Sequence, residues 1–485
     1  MVQQTYQRVH LLAPSDCHQV EVDVANLKMA AMILESFAKY VGRQATLPLT
    51  PSALHASKRV LIDWFSALLP GTQVAPGIQL LKAHRAELGH GRSSLPGNET
   101  TAFAPTAAWL NGSISHAVEF DDIFRDAVYH PGCPTIAAAL ALAEETDACG
   151  QTLLKSIVAG YEVSTRIGAA IQPAHYRFFH TTGTVGCFGA AAAGVLLTSP
   201  GDSNAAMHAM ATSATFAAGL QQAFRSDAMT KALHAGHAAW VGTTSAQGAT
   251  AGITGVADIL EGSAGFGAAL CGSPDWSSVT EGLGKIFNIE RITQKNHGCC
   301  GHTFAAIDAL LDAMKANGLR CDEISRIVVR TYAPALEVAG IPEPKSAFEA
   351  RFSLPYVLAH AAVHGSVRLE AFSEERLRDS QLRELMKKVE LVADPELTRN
   401  FPRMRSARVE LTSADGMTVE VFAPHRRGDP EAPLSDEDIN GKFLELAEPV
   451  IGSQAAAVLL QRLWRMDELN VSDLSLSNLL SNTSK

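Results

Sequence analysis

The sequence predicts a mostly α protein, a large all-α helical domain joined to a smaller α+β unit. Three observations carry this. Apolar residues recur at three- and four-residue spacing through most of the first 283 positions. Alanine and glycine are abundant while aromatics make up only 6%, a mix that suits closely packed helices. Strand-like runs rich in β-branched residues occur only after about Leu283.

Residues 1–21 are polar and irregular and are expected to form a disordered leader. The all-α domain is expected over 22–283. LKMAAMILESFAKYV and SALHASKRVLIDWFSALL open it as amphipathic helices, and CPTIAAALALAEE and QTLLKSIVAGYEVSTRIGAAI follow. TVGCFGAAAAGVLL is almost wholly apolar and built from small residues, so it predicts a central helix packed on all sides. Pro200-Gly201-Asp202-Ser203 reads as a turn and N-cap before the next helix. LHAGHAAWVGTTSAQGATAGITG carries glycines that would weaken an exposed helix, which points to close helix–helix contact. An α+β unit is expected over 284–425. SRIVVRTY (Ser325 to Tyr332) is its first strand, and Arg405 to Ala423 is a hairpin turning at Asp415-Gly416. FAAIDALLDAMKANG and EERLRDSQLRELMKKV lie between as helices. Residues 426–485 are helical again and are expected to return to the first domain.

Composition narrows the partners. A chain of 485 residues is long enough for two or more domains. The net charge is −10 with no Lys/Arg run, which argues against nucleic acid or an anionic membrane as partner. No apolar run is clean and long enough to be read as a bilayer span, and no secretory signal is visible. The eight cysteines are scattered without a CxxC pair, which fits reduced thiols and a cytoplasmic location, a mitochondrial one staying open for a eukaryotic source.

Four segments could carry chemistry. In His116-Ala-Val-Glu119-Phe-Asp121-Asp122, followed by His130-Pro131, residues 116, 119 and 120 would share a helix face. Three carboxylates in four residues are either a solvated helix end or a set converging with His130 on a pocket. In His175-Tyr-Arg177-Phe-Phe-His180-Thr-Thr-Gly183, His180 is either a packing histidine or the rim of a pocket at a helix start, where glycine lets a ligand approach the backbone. In Arg225-Ser-Asp227-Ala-Met-Thr230-Lys231, Lys231 is either solvated or grips a carboxylate, and His234 and His237 lack the acidic ligand a metal site would want. In Lys295-Asn-His297-Gly-Cys299-Cys300-Gly301-His302, a tight turn competes with a metal site or a thiol nucleophile with a base.

Taken in order, these segments resemble the MmgE/PrpD family. Its His-Ala-x-Asp-x-Asp-Asp…His-Pro signature is matched by His116, Ala117, Asp121, Asp122, His130 and Pro131, with Glu119 where the family has aspartate. GYEVSTRIGAA, His180 with TGTVGCFGAAAA, TKALHAGHAA, KNHGCCGHTFAAIDA and ARFSLPY are similar to further family segments, so the likeness runs from about Ala30 to Leu469. Three positions depart from the family: Cys300 stands where animal cis-aconitate decarboxylases have histidine, Phe304 replaces a later histidine, and His297-Gly298 replaces Tyr-Pro.

The resemblance implies a homodimer in which an all-α domain and an α+β lid domain enclose a pocket, with no metal and no organic cofactor. It implies a lyase that moves a proton next to a carboxylate of a citrate- or aconitate-like acid, ending in dehydration or decarboxylation. The same scaffold would serve an epimerase of an amino- or imino-dicarboxylate. His130 or His180 would be the base or acid, and Glu119 or Asp121 would orient an imidazole or act as partner acid. Lys231, helped by Arg225 or Arg177, would bind carboxylates, with Cys300 and His302 also lining the substrate. A non-catalytic carboxylate-binding homologue and a metal- or thiol-dependent hydrolase using Cys299 or Cys300 with His302 are the readings from other classes.

Overall fold

The computed structural model describes residues 33–224 and 228–475. The expected leader, residues 1–21, lies outside the described residues. Helix α1 (Ile33–Gln44) is followed by α2 (Pro51–Gly71), whose start is fixed by Thr50: its Oγ1 accepts from the Ala53 N–H at 3.2 Å. Next come α3 (Ala104–Ser115), α4 (Gly132–Glu145), α5 (Gly150–Ala170) and α6 (Gly186–Thr198). Asp202 caps α7 (Ser203–Ala214) by accepting from the N–H groups of Asn204 and Ala205, and α8 (Thr230–Thr250) follows.

Helix α6 is the centre of the bundle, with every residue from Gly186 to Leu197 buried. It packs on α4, α5 and α8, and α8 also packs along α3. The small residues make this possible: a Cβ at Gly189 would stand 2.7 Å from Thr135 Oγ1 and 2.9 Å from Ser164 Oγ. Thr181–Thr198 is in fact long and apolar enough, at mean hydropathy 1.3, to cross a bilayer, which corrects the sequence reading. It is 94% buried inside the protein, so its apolarity serves the helix core.

The chain then forms α9 (Phe304–Asn317), β1 (Ile324–Thr331), α10 (Leu354–His364), β2 (Val389–Ala393), β3 (Ala407–Ser413) and β4 (Thr418–Ala423). The sheet runs β2-β1-β3-β4, with β1–β2 parallel and the other pairs antiparallel. The β3–β4 hairpin turns at Asp415-Gly416, with Gly416 at φ 91°. Strand β2 is absent from the sequence reading. EERLRDSQLRELMKKV forms only two short helices, Glu374–Leu377 and Ser380–Met386, before Val389 pairs with Ile327. A run of five residues is too short for its periodicity to announce a strand.

Two large apolar cores form among the described residues. One runs from Ile33 to Ile292 and resumes from Leu434 to Leu474, and the other runs from Cys299 to Ala423. Helices α11 (Asp436–Ile451) and α12 (Ser453–Trp464) belong to the first core, with α11 packed on α2.

Candidate active site

The site begins where α3 ends. His116 is the helix C-cap, and residues 117–122 leave the helix as a turn. This overturns the shared helix face of His116, Glu119 and Phe120. Glu119 adopts φ 57°, the left-handed region that a residue with a Cβ enters at a cost of about 1–3 kcal/mol. The turn lets each of the three neighbouring carboxylates find its own partners instead of repelling along one face. Asp121 and Asp122 are 1% and 3% exposed, so the solvated helix end is excluded as well.

Asp121 is shared by two imidazoles. Its Oδ2 lies 2.8 Å from His116 Nδ1 and 2.9 Å from His130 Nδ1, and it accepts from the Cys133 thiol at 3.2 Å. The chain returns to this point because Phe124 and Tyr129 pair backbone to backbone, so His130 arrives beside Asp121 just before α4. His130 Nδ1 is also 2.8 Å from the Asp122 carbonyl. Both of its neighbours are acceptors, so Nδ1 carries the proton and Nε2 presents the lone pair. Asp122 turns the other way, accepting from the Gly132 N–H at 3.0 Å and the Tyr161 hydroxyl at 2.7 Å.

His180 is held just ahead of the short helix Thr181–Thr184. Its ring stacks on that of His116 at 5.6 Å and 20°, and its Nδ1 is 3.1 Å from His234 Nδ1. His130, His116, His180 and His234 therefore form a continuous row of imidazoles. Gly183 does not open the backbone to a ligand. It accommodates the Ala218 carbonyl and the His234 side chain.

Lys231, in the first turn of α8, is ion-paired with Glu119. Lys295 lies on the other side: its Nζ donates to the Glu119 carbonyl at 2.7 Å and sits 3.7 Å from the Glu119 carboxylate and 3.9 Å from that of Asp121. An antiparallel bridge between Ile123 and Thr293 carries Lys295 there. The buried α11 residue Lys442 secures the same junction by pairing with Asp63 at 2.6 Å and donating to the carbonyls of Phe120 and Lys295.

The charges follow from this geometry. Burial alone would raise the Asp121 carboxyl, but His116, His130 and Lys295 outweigh it and hold it well below its ordinary value. Burial likewise opposes ionisation of Glu119, and Lys231 and Lys295 overcome it. Among the described residues no lysine, arginine or histidine pairs with the Asp122 carboxylate, and burial pushes it up to about 7. Burial lowers His130 to about 4, against the pull of Asp121. His180 is held well below its usual value by burial and by the neighbouring imidazoles and Lys231. Two neutral imidazoles thus face two lysines and two ionised carboxylates.

Of the residues expected from sequence, His130, His180, Lys231, Glu119 and Asp121 converge. Cys300 lies near them, close enough to feel Lys295, Glu119 and Lys231. His302 instead bonds the Tyr332 hydroxyl through Nδ1 at 2.8 Å. Arg177 does not converge: it is exposed, with its guanidinium 5.0 Å from the Phe178 ring. Arg225 lies outside the described residues. His116 and Lys295 stand in the sequence motifs without a legible role, because spacing does not reveal which side chains a turn or a backbone bridge will bring together.

His116, Asp121 and His130 present donors within 4.8 Å of one another, a set that could hold a metal ion. Both Nδ1–H groups already donate to Asp121, however, and the Lys295 ammonium stands beside it, so a cation would have to displace two protons against a like charge.

A helical bundle with a second α+β core, meeting at buried imidazoles, carboxylates and lysines, has the make-up of an enzyme that moves protons. The chain belongs to the MmgE/PrpD family: residues 35–279 match its N-terminal domain and residues 297–466 its C-terminal domain. It is 28% identical over 456 residues to human cis-aconitate decarboxylase, covering 91% of this chain and 93% of the relative. The mouse cis-aconitate decarboxylase is 27% identical over 462 residues, covering 91% and 92%. A cis-aconitate decarboxylase-like protein of Aspergillus oryzae is 29% identical over 428 residues, covering 83% and 87%.

Proposed function

We propose that this protein is a cofactor-free lyase of a citrate- or aconitate-like tricarboxylate, working as a homodimer, with decarboxylation of cis-aconitate the favoured reaction. The observation that carries this is His130: a neutral imidazole whose Nδ1–H is fixed by Asp121 and the Asp122 carbonyl, beside a lysine already engaged with a carboxylate. The relatives named for cis-aconitate decarboxylation support the substrate class.

In this reading a substrate carboxylate takes the place of Glu119 at Lys231. His130 or His180 then moves a proton at the carbon next to a carboxylate. Departure of CO₂ would leave an electron pair on carbon, and Lys231 and Lys295 would stabilise that negative charge in a site shielded from water. That pair shifts through the neighbouring C=C and takes up one proton at the far carbon from His130 or His180 as imidazolium, which draws its proton from solvent before each turnover, so that one proton is consumed for each CO₂ released. The thiol hydrolase reading finds no support in the geometry. Burial raises the Cys300 thiol, and His302, lowered to about 3 by burial and two arginines, is bonded to Tyr332.

The test is incubation with citrate, methylcitrate, cis-aconitate and trans-aconitate in deuterated water, followed by NMR. Loss of CO₂ or water from one of them, with deuterium at carbon, is expected. His130→Ala and Lys231→Ala should each lower turnover by about 10²-fold or more. Full activity in both variants would sink the site assignment.

A further inference from the structure

Arg405 stands in the loop that leads into β3, and no step of the proposed reaction uses it. Its guanidinium lies 5.9 Å from the Phe401 ring, and Phe401 stacks on Tyr332 at 4.7 Å and 14°. His302, bonded to the Tyr332 hydroxyl, closes the group with its ring 6.2 Å from Phe401. The Arg405 Nε is buried without a hydrogen-bond partner, and among the described residues no carboxylate pairs with it. The carboxylate that acts on it is that of Asp429, which is taken by Arg426 through bonds of 2.9 and 2.7 Å. Arg426 is itself a second cation nearby. A half-buried arginine whose Nε is shut away from water without a partner, beside another cation and with no carboxylate of its own, is costly, and the fold keeps it.

Its position relates it to the active site. Tyr176, in the segment just before His180, is close enough to feel Arg405, Cys300 and Glu119 together. Glu119 holds Lys231. Hydrogen bonds reach the same place: Cys300, two residues before His302, donates its N–H to the Arg351 carbonyl at 2.9 Å, and Arg351 donates to the Val118 carbonyl at 2.7 Å, so the Arg405 group adjoins the 116–122 turn that carries Glu119. A guanidinium presents a planar fork that matches a carboxylate with two hydrogen bonds.

We propose that Arg405 is a second carboxylate-binding residue of the site, receiving a substrate carboxylate other than the one held at Lys231 and so selecting polycarboxylate substrates. This rests on the lyase reading for its substrate class, but its test does not need turnover. The probe is propane-1,2,3-tricarboxylate, a saturated acid with no hydroxyl to lose, titrated by calorimetry. Arg405→Gln should weaken its binding at least tenfold, and Arg405→Lys, which keeps the cation but not the fork, should fall between. The melting temperature of the unliganded Arg405→Gln protein should equal or exceed that of the parent, since a cation beside Arg426 with no carboxylate of its own has been removed. Equal affinity in all three forms overturns the inference. Arg405-dependent binding without turnover of any acid on the panel upholds it while sinking the lyase reading. Normal turnover with an unchanged KM in Arg405→Gln does the reverse.

Discussion

At the scale of the residue, one carboxylate organises the site. Asp121 fixes the tautomer of two imidazoles at once, so replacing it should do more than remove a charge. An asparagine can accept both Nδ1–H groups only at its one carbonyl oxygen, without the negative charge, and this turns its NH₂ end toward the Lys295 ammonium where Asp121 Oδ1 stood 3.9 Å away. Asp121→Asn should therefore lower kcat by about 10²–10⁴-fold with little change in KM. The pH profile gives a second reading. With His130 lowered to about 4, the parent should keep its base-competent imidazole down to about pH 5 and lose kcat/KM as pH nears 4. Asp121 raises the His130 value, so its removal should move that acid limb lower still. A profile that moves upward in Asp121→Asn would show that His130 is not the titrating group. Much of this chemistry was legible in the sequence: His130, Asp121 and Lys231 stand in recognisable segments. Arg405 was not, because nothing in RSARVELTS marks an arginine left without a carboxylate by the folding of distant strands.

At the scale of the element, the periodicity of 3.6 residues announced the bundle, and the small residues of α6 announced its centre. The 116–122 turn stayed hidden, since a helix pattern ending in acidic residues looks the same whether those residues meet water or buried partners. The C-terminal helix α11 holds that turn in place through Lys442, which is paired with Asp63 and donates to the carbonyls of Phe120 and Lys295. Lys442→Met leaves Asp63 buried without a cation and should cost about 3–5 kcal/mol in urea denaturation. The double variant Lys442→Met with Asp63→Leu should regain most of that stability, because the apolar pair replaces the ionic one. Its activity should stay low, since the Phe120 and Lys295 carbonyls still lack their donor. Full activity in the double variant would show that α11 contributes stability alone.

At the scale of the whole molecule, the outward face of α8 is where the proposed homodimer would form. Trp240 is 42% exposed on that face, one turn from His237, whose Nε2 lies 3.0 Å from the Phe216 carbonyl. Phe216, Leu220, Met229 and Phe178 are exposed as well, and Gln221 donates to the Phe178 carbonyl, which draws the group together. A cluster of large apolar side chains in water is the mark of an interface. In a two-fold dimer one patch of this kind meets its own copy. Light scattering coupled to gel filtration should therefore give twice the 51.6 kDa chain mass. Trp240→Glu places a charge on this face and should shift the protein toward monomer. The inner end of the same helix carries Lys231, and the segment ending at Phe178 leads directly into His180. Losing the partner should thus lower activity at dilute concentrations and restore it as protein is concentrated. A Trp240→Glu variant that remains dimeric, with activity independent of concentration, would place the interface elsewhere.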